Sequence, residues 1–368
     1  CIVFAGHLYA AERTYNVLFI QSYNHRTPWN DRLTEGVRDG LSRGGIKAKV
    51  TTEYLDADYW TFASECVIMR RICERARQKN TDIIITSSDE AFYTLMHCGD
   101  SLPYKLPVVV SGIKYPNEKL MSNVCGYTSK IDFIHLLENA RRVFPNRTEV
   151  VCVSDSSLLG LKGIAELERA WPDYQQLHPE YKLKVMNVQA QAPNPVIASI
   201  CYDYNAYNRI VIAPKWTPFL SFIGKNSKAP VFVGQSLALT NGVFCVHDME
   251  PYEGASAAGK CAAQVLQGAT PSVVGVTDLP GKLLYDFKQL EYFRVNADKV
   301  SDSGVIMNAP LMERYRIWFV LFYSIVVGAL VFLVIWLYRL NRHESRRRMH
   351  AQTRLLIQNR LVEQRDEF

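Results

Sequence analysis

Small hydroxyl, amide, acidic and aromatic side chains recur just after the short apolar runs of this 368-residue sequence. They read Ser22-Tyr23-Asn24, Ser87-Ser88-Asp89-Glu90, Ser111-Gly112, Tyr127-Thr128-Ser129, Ser154-Asp155-Ser156-Ser157, Lys215-Trp216 and Gln235-Ser236. A single hydroxyl or carboxylate at such a place is ordinarily a helix cap. Recurrence in both halves of the chain favours a cleft lined from two sides, and the chemistry is recognition. Asp89 and Asp155 can accept hydrogen bonds from an amine or from sugar hydroxyls. Lys215 can meet a carboxylate, and Ser22, Ser88, Ser111, Ser156 and Gln235 can orient polar groups. Trp29 and Trp216 can stack on a flat or sugar-like ligand, although either also serves as ordinary packing. Tyr23, Ser87, Tyr127 and Ser236 complete the expected ligand-binding set.

Two stretches imitate catalytic motifs. Residues 254–261 read GASAAGKC, one residue away from a phosphate-binding GxxxxGK[ST] loop. The final Cys261 lacks the hydroxyl that would ligate magnesium, and no strand leads into the stretch, so an Ala-rich helix is the better reading. Gly234-Gln235-Ser236-Leu237-Ala238 approaches the nucleophile elbow GxSxG, but the second Gly is missing. His247 and Asp248 follow in an order that does not suit that fold. A hydrolase-type ectoenzyme using Ser236 is therefore the weakest of three functional readings. No HExxH, GxGxxG or CxxC occurs, and the nine Cys have no His at zinc spacing, so no catalytic residue, metal or cofactor is expected in this segment. Cys125, Cys152 and Cys245 lie in apolar patterns and read as small buried hydrophobes, while a disulfide is left unassigned.

The elements that must position these groups alternate. Strands are expected over 17–22, 47–55, 82–88, 106–112, 123–128, 149–157, 182–188, 209–215 and 229–236. Helices are expected from Pro28 through Leu41 and over 62–78, 90–98, 130–143, 158–171 and 195–204. Such alternation predicts an α/β fold of two doubly wound, Rossmann-like lobes, with ligands beyond the carboxyl ends of the strands.

Charge and hydropathy add a membrane. The chain is 48% hydrophobic and 21% charged with net charge +6, which excludes a disordered chain or a disulfide knot. Residues 317–338 hold 22 residues without a charge, about 33 Å of helix at about 1.5 Å per residue, enough for the bilayer core. Trp318, Trp336 and Tyr338 stand near its ends, as interfacial aromatics do. Residues 339–350 carry five Arg against Glu344 alone, while 351–368 balance, so +2 is left for everything before Arg339. The positive-inside rule places the basic side in the cytoplasm and the large N-terminal part outside it, and the case for a nucleic-acid surface disappears. Residues 1–11 read as the end of a signal-peptide core with its cleavage site near Ala10 or Ala11. The tail, 339–368, reads as a juxtamembrane helix with too few heptads to establish a coiled coil.

The stretches QSYNHRTPWNDRLTEGVRDGL, YLDADYW, DIIITSSDEA and the run from Gly242 to Gly268 ending AAGKCAAQVLQG together resemble the type I periplasmic binding proteins. More narrowly, they resemble the ABC-transporter substrate-binding-like family, some of whose members serve as sensor domains of bacterial membrane histidine kinases. The resemblance covers roughly residues 15–305. It implies two lobes joined by about three crossovers, expected near 112–126 and 235–242, with 243–268 rejoining the first lobe. The domains expected from it are 12–112 with 243–271, 113–242 with 272–308, a transmembrane helix over 317–338 and a cytoplasmic linker over 339–368. It further implies a bacterial inner-membrane receptor, dimeric, closing on a small molecule. The output would be a histidine kinase beyond Phe368, using ATP and Mg there and addressing a response regulator. The alternative is a membrane-tethered substrate-binding component of an ABC importer.

Overall fold

The computed structural model describes residues 13–24, 28–57, 61–188, 204–215, 218–235, 239 and 242–366. They form two compact units, 1–308 and 309–368. The readings placed on residues 1–11 and on a helix over 195–204 lie outside the described residues.

The first unit carries two sheets. In the first lobe, β1 (Tyr15–Gln21), β2 (Ala48–Tyr54), β3 (Ile83–Ser87), β4 (Val108–Ile113), β5 (Val124–Thr128) and β11 (Val276–Asp278) pair in the order β11-β5-β4-β3-β1-β2. Every neighbouring pair in it is parallel. The central strand β3, IIITS, is buried throughout, as expected of a strand covered by helices on both faces. The edge strand β2, AKVTTEY, is only half-buried along its length, which is why its sequence is more polar.

In the second lobe, β6 (Glu149–Ser154), β7 (Lys182–Asn187), β8 (Arg209–Ala213), β9 (Val231–Val233), β10 (Cys245–Asp248), β12 (Lys282–Asp286) and β13 (Gly304–Met307) take the order β13-β12-β10-β9-β8-β6-β7. Only β10 with β12 is antiparallel among the pairs of that sheet. The α/β two-lobe expectation is correct.

The chain crosses between sheets after β5, after β10 and between β11 and β12. The first two crossovers fall later than expected. Residues 124–128 pair with β4 in the first sheet, and 245–248 pair with β9 in the second. Gly112 and Gly126, which bound the expected first crossover, serve other needs. Both have positive φ, 75° and 122°, and a Cβ on Gly126 would stand 2.1 Å from the Val110 carbonyl oxygen. Gly242, φ 81°, turns against the backbone of Gly224 before β10 begins. Gly112 takes a left-handed turn, while Gly126 and Gly242 mark close backbone approach inside a lobe.

Helices cover both sheets. On the first lobe, α1 (Pro28–Arg43), α2 (Phe62–Gln78) and α3 (Ser88–Cys98) follow their strands. A Cys66–Cys98 disulfide joins α2 to α3, an assignment that spacing alone left open. Cys73, Cys125, Cys152 and Cys245 are buried free thiols; burial pushes the Cys152 thiol up to about 12, so it stays protonated. On the second lobe lie α4 (Phe133–Val143), α5 (Leu158–Leu177) and α6 (Pro218–Asn226). Helix α5 runs through Pro172 instead of ending before it. Its last turns bury Trp171 and Tyr174 in the lobe's core, and that burial outweighs the backbone hydrogen bond the proline removes. Residues 254–261 lie inside α7 (Pro251–Leu266). Their amide groups are committed to the helix, so the stretch is not a phosphate loop.

Helix α7 packs on α1 at very short range. Gly36 and Gly40 of α1, with Gly44 just past its end, face Ala255, Ser256, Gly259 and Ala263 of α7. Small residues at four-residue spacing line one face of α1 and let the two backbones meet. The pairing seats the N-terminal turn of α1 and that of α7 side by side at the mouth of the interlobe cleft.

The second unit is dominated by α9 (Arg316–Asp366), 51 residues long, where α8 is the short helix Phe287–Tyr292. Within its stretch 316–357, an 18-residue window reaches a mean hydropathy of 2.7, and none of that window is buried in the protein. By length and composition it is able to cross a membrane. The expected span and tail are one continuous helix through Asp366.

Candidate functional site

The carboxyl ends of the strands converge on a cavity of about 60 Å3 in the first unit. Strand β1 delivers Gln21, Ser22 and Tyr23, and the first turns of α1 add Trp29, Asn30 and Leu33. Ser87 and Ser88 come from the β3–α3 junction, Ser111, Gly112 and Lys114 from the end of β4, and Tyr127 from β5. The second lobe and its crossover contribute Gln235 and the segment 248–251. Doubly wound sheets leave a crevice at this end because successive helices depart to opposite faces.

The cavity wall is held by a dense set of hydrogen bonds. Ser22 Oγ donates to the Ser87 carbonyl at 2.6 Å and accepts from Ala91 N at 2.9 Å, tying β1 to the start of α3. Ser88 has φ 68°, an unusual conformation for a residue with a Cβ and one that clusters at ligand sites. Ser111 Oγ and the Tyr127 hydroxyl are 2.9 Å apart. Burial pushes the Tyr127 phenol up, so it acts as a neutral hydroxyl. Gln21 Nε2 donates to Asn30 O at 3.2 Å and to Thr34 Oγ1 at 2.9 Å, fixing the start of α1. Asn30 Nδ2 in turn donates to Tyr23 O at 3.2 Å and to Asn24 O.

Several contacts bridge the lobes. Gln235 Nε2 donates to the Tyr23 hydroxyl at 3.1 Å, and Tyr23 donates to Glu90 Oε1 at 2.9 Å. The Lys162 ammonium of α5 lies 5.3 Å from the Tyr93 ring centre of α3. Trp29 joins the second lobe's core cluster with Leu239 and Val243. At the crossovers, Lys114 Nζ meets Asp248 Oδ1 at 2.6 Å, with side-chain exposures of only 4% and 12%. Asp248 Oδ1 also accepts from Met249 N at 2.9 Å. The lobes are thus in contact around a narrow space.

Eight of the fourteen residues expected at the site line this cavity: Ser22, Tyr23, Trp29, Ser87, Ser88, Ser111, Tyr127 and Gln235. Asp89 does not. It is buried, and its two carboxylate oxygens accept from Lys114 N at 2.9 Å and Tyr115 N at 3.0 Å, holding the loop after β4. Burial, reinforced by the neighbouring Glu90, raises its pKa to about 6 against the pull of those two amides. Asp155 also serves its own loop. Its Oδ1 accepts from Ser157 N at 3.1 Å and from the Ser157 hydroxyl, and Lys215 Nζ stands 3.7 Å from its Oδ2. Ser156 Oγ donates to Asn187 Oδ1 at 3.1 Å. Trp216 and Ser236 lie outside the described residues.

The cavity also holds residues that strand-end reasoning passed over. Gln21, Lys114 and Asp248 sit at or just beyond the ends of β1, β4 and β10, so the same rule applied one residue earlier or later finds them. Asn30 and Leu33 are placed by the entry angle of α1, which has no local signature. Near the crossovers, a wider groove of about 720 Å3 runs past Asp132, His135, His247 and Gly281. Burial lowers the His247 pKa, with Lys114 acting in the same direction, so the ring is neutral. Its Nδ1 accepts from Asp132 N at 3.4 Å.

No protein-family model matches the sequence, and no curated protein matches it. Solved structures do resemble it. One is described as an ABC domain in complex with L-Trp from Streptococcus pneumoniae, with TM-score 0.63, 16% identity, 80% of this chain and 100% of that chain covered. A conserved domain protein from Vibrio cholerae gives TM-score 0.61 and 15% identity over 80% of this chain and 100% of that one. A ligand-free, open substrate-binding protein with adhesive properties from Clostridium difficile gives 0.58 and 14% with the same coverage. At such identities the likeness shows the fold, and that fold is the two-lobed one of type I periplasmic binding proteins.

Proposed function

We propose that residues 13–308 bind a small molecule between the two lobes and that the apolar segment of α9 tethers this domain to a membrane. The observation that carries the reading is the cavity at the strand ends, closed over by contacts from both lobes and lined by hydrogen-bonding groups. Such a site gains a ligand's contacts only when the lobes meet, so the ligand stabilises the closed arrangement by its differential affinity for it. The Cys66–Cys98 disulfide supports a domain exposed to an oxidising compartment.

On this reading the chain is a receptor of the bacterial inner membrane, with the lobes outside the cytoplasm and the Arg339–Arg348 cluster inside. Helix α9 supports signalling, because its 51 residues continue without a break from the apolar segment into the basic and polar tail. A rigid helix of that kind carries a displacement from a binding domain to an output domain, here a histidine kinase acting in a dimer and addressing a response regulator. The second reading, a tethered binding component of an ABC importer, is supported by neighbours described as ABC or substrate-binding proteins.

The test is thermal unfolding of the full chain in lipid nanodiscs with and without a deproteinised bacterial metabolite extract. The extract raises the midpoint of the wild type and does nothing for Ser111→Phe, whose ring fills the cavity. A midpoint that the extract leaves unmoved in both proteins contradicts solute binding. Co-purification with a permease in place of a kinase separates the second reading from the first.

A further inference from the structure

His247 stands where the three passages between the lobes meet. It lies on β10, the last strand before the second crossover, and is 3% exposed. From the first crossover, Asp132 N donates to its Nδ1 at 3.4 Å. From the third, Gly281 lies against the ring, since a Cβ there would stand 2.8 Å from His247 Cε1 and 3.0 Å from Nδ1. The neighbouring Asp248 Oδ1 meets Lys114 Nζ at 2.6 Å and accepts from Ser129 Oγ at 3.5 Å, which ties the second crossover to the first. The bond to Asp132 fixes the tautomer. A backbone amide only donates, so Nδ1 is unprotonated and the single ring proton sits on Nε2. A second proton has only Nδ1 to go to, where it meets the Asp132 N–H. An imidazolium has two donors and no acceptor, so this link between the first crossover and β10 is incompatible with a charged ring.

The surrounding charges do not remove the conflict. Lys114 and His135 disfavour a cation at His247, whereas Asp248 and Asp132 favour it. Both carboxylates are already engaged: Asp248 Oδ1 by Lys114, Ser129 and Met249 N, and Asp132 Oδ1 by His135 N. Burial opposes the charge more than any of these neighbours. Along the same groove stand Glu166, Arg169 and Asp173 of α5, with Lys130 and Asp278 from the crossovers. Lys282, next to Gly281, is drawn to Glu253 at 2.6 Å.

We propose that His247 is a proton-sensitive latch of the hinge: neutral, it holds the three crossovers in the arrangement that brings the lobes together; protonated, it releases them and weakens closure on the solute. The proposal rests on the reading of residues 13–308 as a domain that closes on a solute. Crossovers are where such a group acts, because a few connecting residues absorb the backbone rotation of a closing pair of lobes. The open form lets the ring reach water and take the proton, so acid favours opening. With an open-form pKa near the ordinary value of about 6.5, the apparent affinity falls at most about tenfold between pH 7.5 and pH 5.5.

The experiment uses the full chain in nanodiscs at pH 7.5 and pH 5.5, spin-labelled on Tyr104→Cys and Leu177→Cys, one exposed position on each lobe. It is titrated with the deproteinised metabolite extract. His247→Asn is the test variant, because its amide oxygen replaces Nδ1 as acceptor and does not titrate. The extract needed for half-maximal closure rises on acidification by about three- to tenfold more with His247 than with His247→Asn. A solute that itself titrates moves both proteins alike and cancels in this comparison. His135→Asn, in the same groove, keeps the rise seen with His247. Rises that agree within about twofold between His247 and His247→Asn overturn the proposal. Hydrogen exchange over residues 129–136 of the unliganded chain, corrected for the intrinsic effect of pH, reads the hinge without a solute. Its protection falls at least about threefold from pH 7.5 to pH 5.5 with His247 and holds in His247→Asn; protection unchanged with His247 also overturns the latch. If the extract closes neither protein while exchange responds as stated, the solute reading fails and the proton-sensitive hinge stands.

Discussion

Gly40→Ala sets two effects of known sign against each other. On helix propensity alone, alanine in the middle of α1 is better than glycine by about 1 kcal/mol. The structure reverses that. A Cβ on Gly40 would stand 2.2 Å from the Ser256 carbonyl oxygen, 2.9 Å from Gly259 Cα and 3.0 Å from Lys260 N, all backbone atoms of α7. No side chain can rotate out of the way, so the helices must separate. Overpacking of this kind typically destabilises by about 1–3 kcal/mol. Separation also disturbs the pair of N-terminal turns that carry Trp29, Asn30 and Glu250 into the cavity.

Taking the clash as dominant, the variant loses about 1–2 kcal/mol net, which lowers the thermal midpoint by about 2–8 °C in a domain of this size. The assay is a thermal melt of the full chain in nanodiscs, with Ser42→Ala as the control. Ser42 is exposed on the same helix, so its replacement reads propensity alone and stays within about 0.5 kcal/mol of wild type. A Gly40→Ala midpoint equal to or above that of Ser42→Ala would refute the close α1–α7 packing.

Other expectations are as sharp. Lys114→Met leaves Asp248 with much of its charge buried and is strongly destabilising, by about 3–5 kcal/mol, whereas adding Asp248→Asn to it restores part of the loss; two additive effects in thermal melts would contradict the pairing. His247 has its folded pKa depressed below 6.5 by burial and by Lys114, with Asp248, His135 and Asp132 also facing it. Its contribution to stability is therefore present above the unfolded pKa and lost as pH falls, and His247→Gln flattens the decline of the melting midpoint on acidification. Asp89 has its folded pKa raised from 3.8 to about 6, so its contribution runs the other way, full below about pH 4 and lost as pH rises toward 6; a midpoint profile of Asp89→Asn that keeps the wild-type slope between those limits would count against it. Reduction of the Cys66–Cys98 bond, 32 residues apart in sequence, lowers the midpoint by loosening α2 from α3, and Cys98→Ala reproduces the reduced value without responding to dithiothreitol.

Much of the two-lobed core could be read directly because parallel strands buried on both faces leave long apolar runs. IIITS of β3 and RIVIA of β8 are buried at every position, and little else in a soluble domain looks like that. The crossovers were harder. Glycines at 112 and 126 resemble hinge punctuation, yet they are required by a left-handed turn and by a Cβ-free approach to Val110. Helix α5 was cut short at Pro172 because local propensity weighs the lost hydrogen bond and does not count the burial of Trp171 and Tyr174.

At the site, polar residues that follow the strands of the first lobe line the cavity. Ser22, Ser87 and Ser111 come from adjacent strands of one sheet. Asp89, Asp155 and Ser156 also follow strands but do not line it, because a short polar side chain at a helix start is as readily consumed by neighbouring amides and hydroxyls as by a ligand. Lys114 and Asp248 are 134 residues apart; no periodicity brings them together, and only the return of the chain across the lobes does.

The central claim is that the lobes close on a solute. Spin labels on Tyr104→Cys and Leu177→Cys, both well exposed at 62% and 73% and on different lobes, report the interlobe distance by pulsed electron resonance in the full chain in nanodiscs. The account predicts a broad distribution without solute that shortens and narrows when the metabolite extract is added, and no such change in Ser111→Phe. A distribution indifferent to the extract in the wild type, or one that narrows equally in Ser111→Phe, would contradict it.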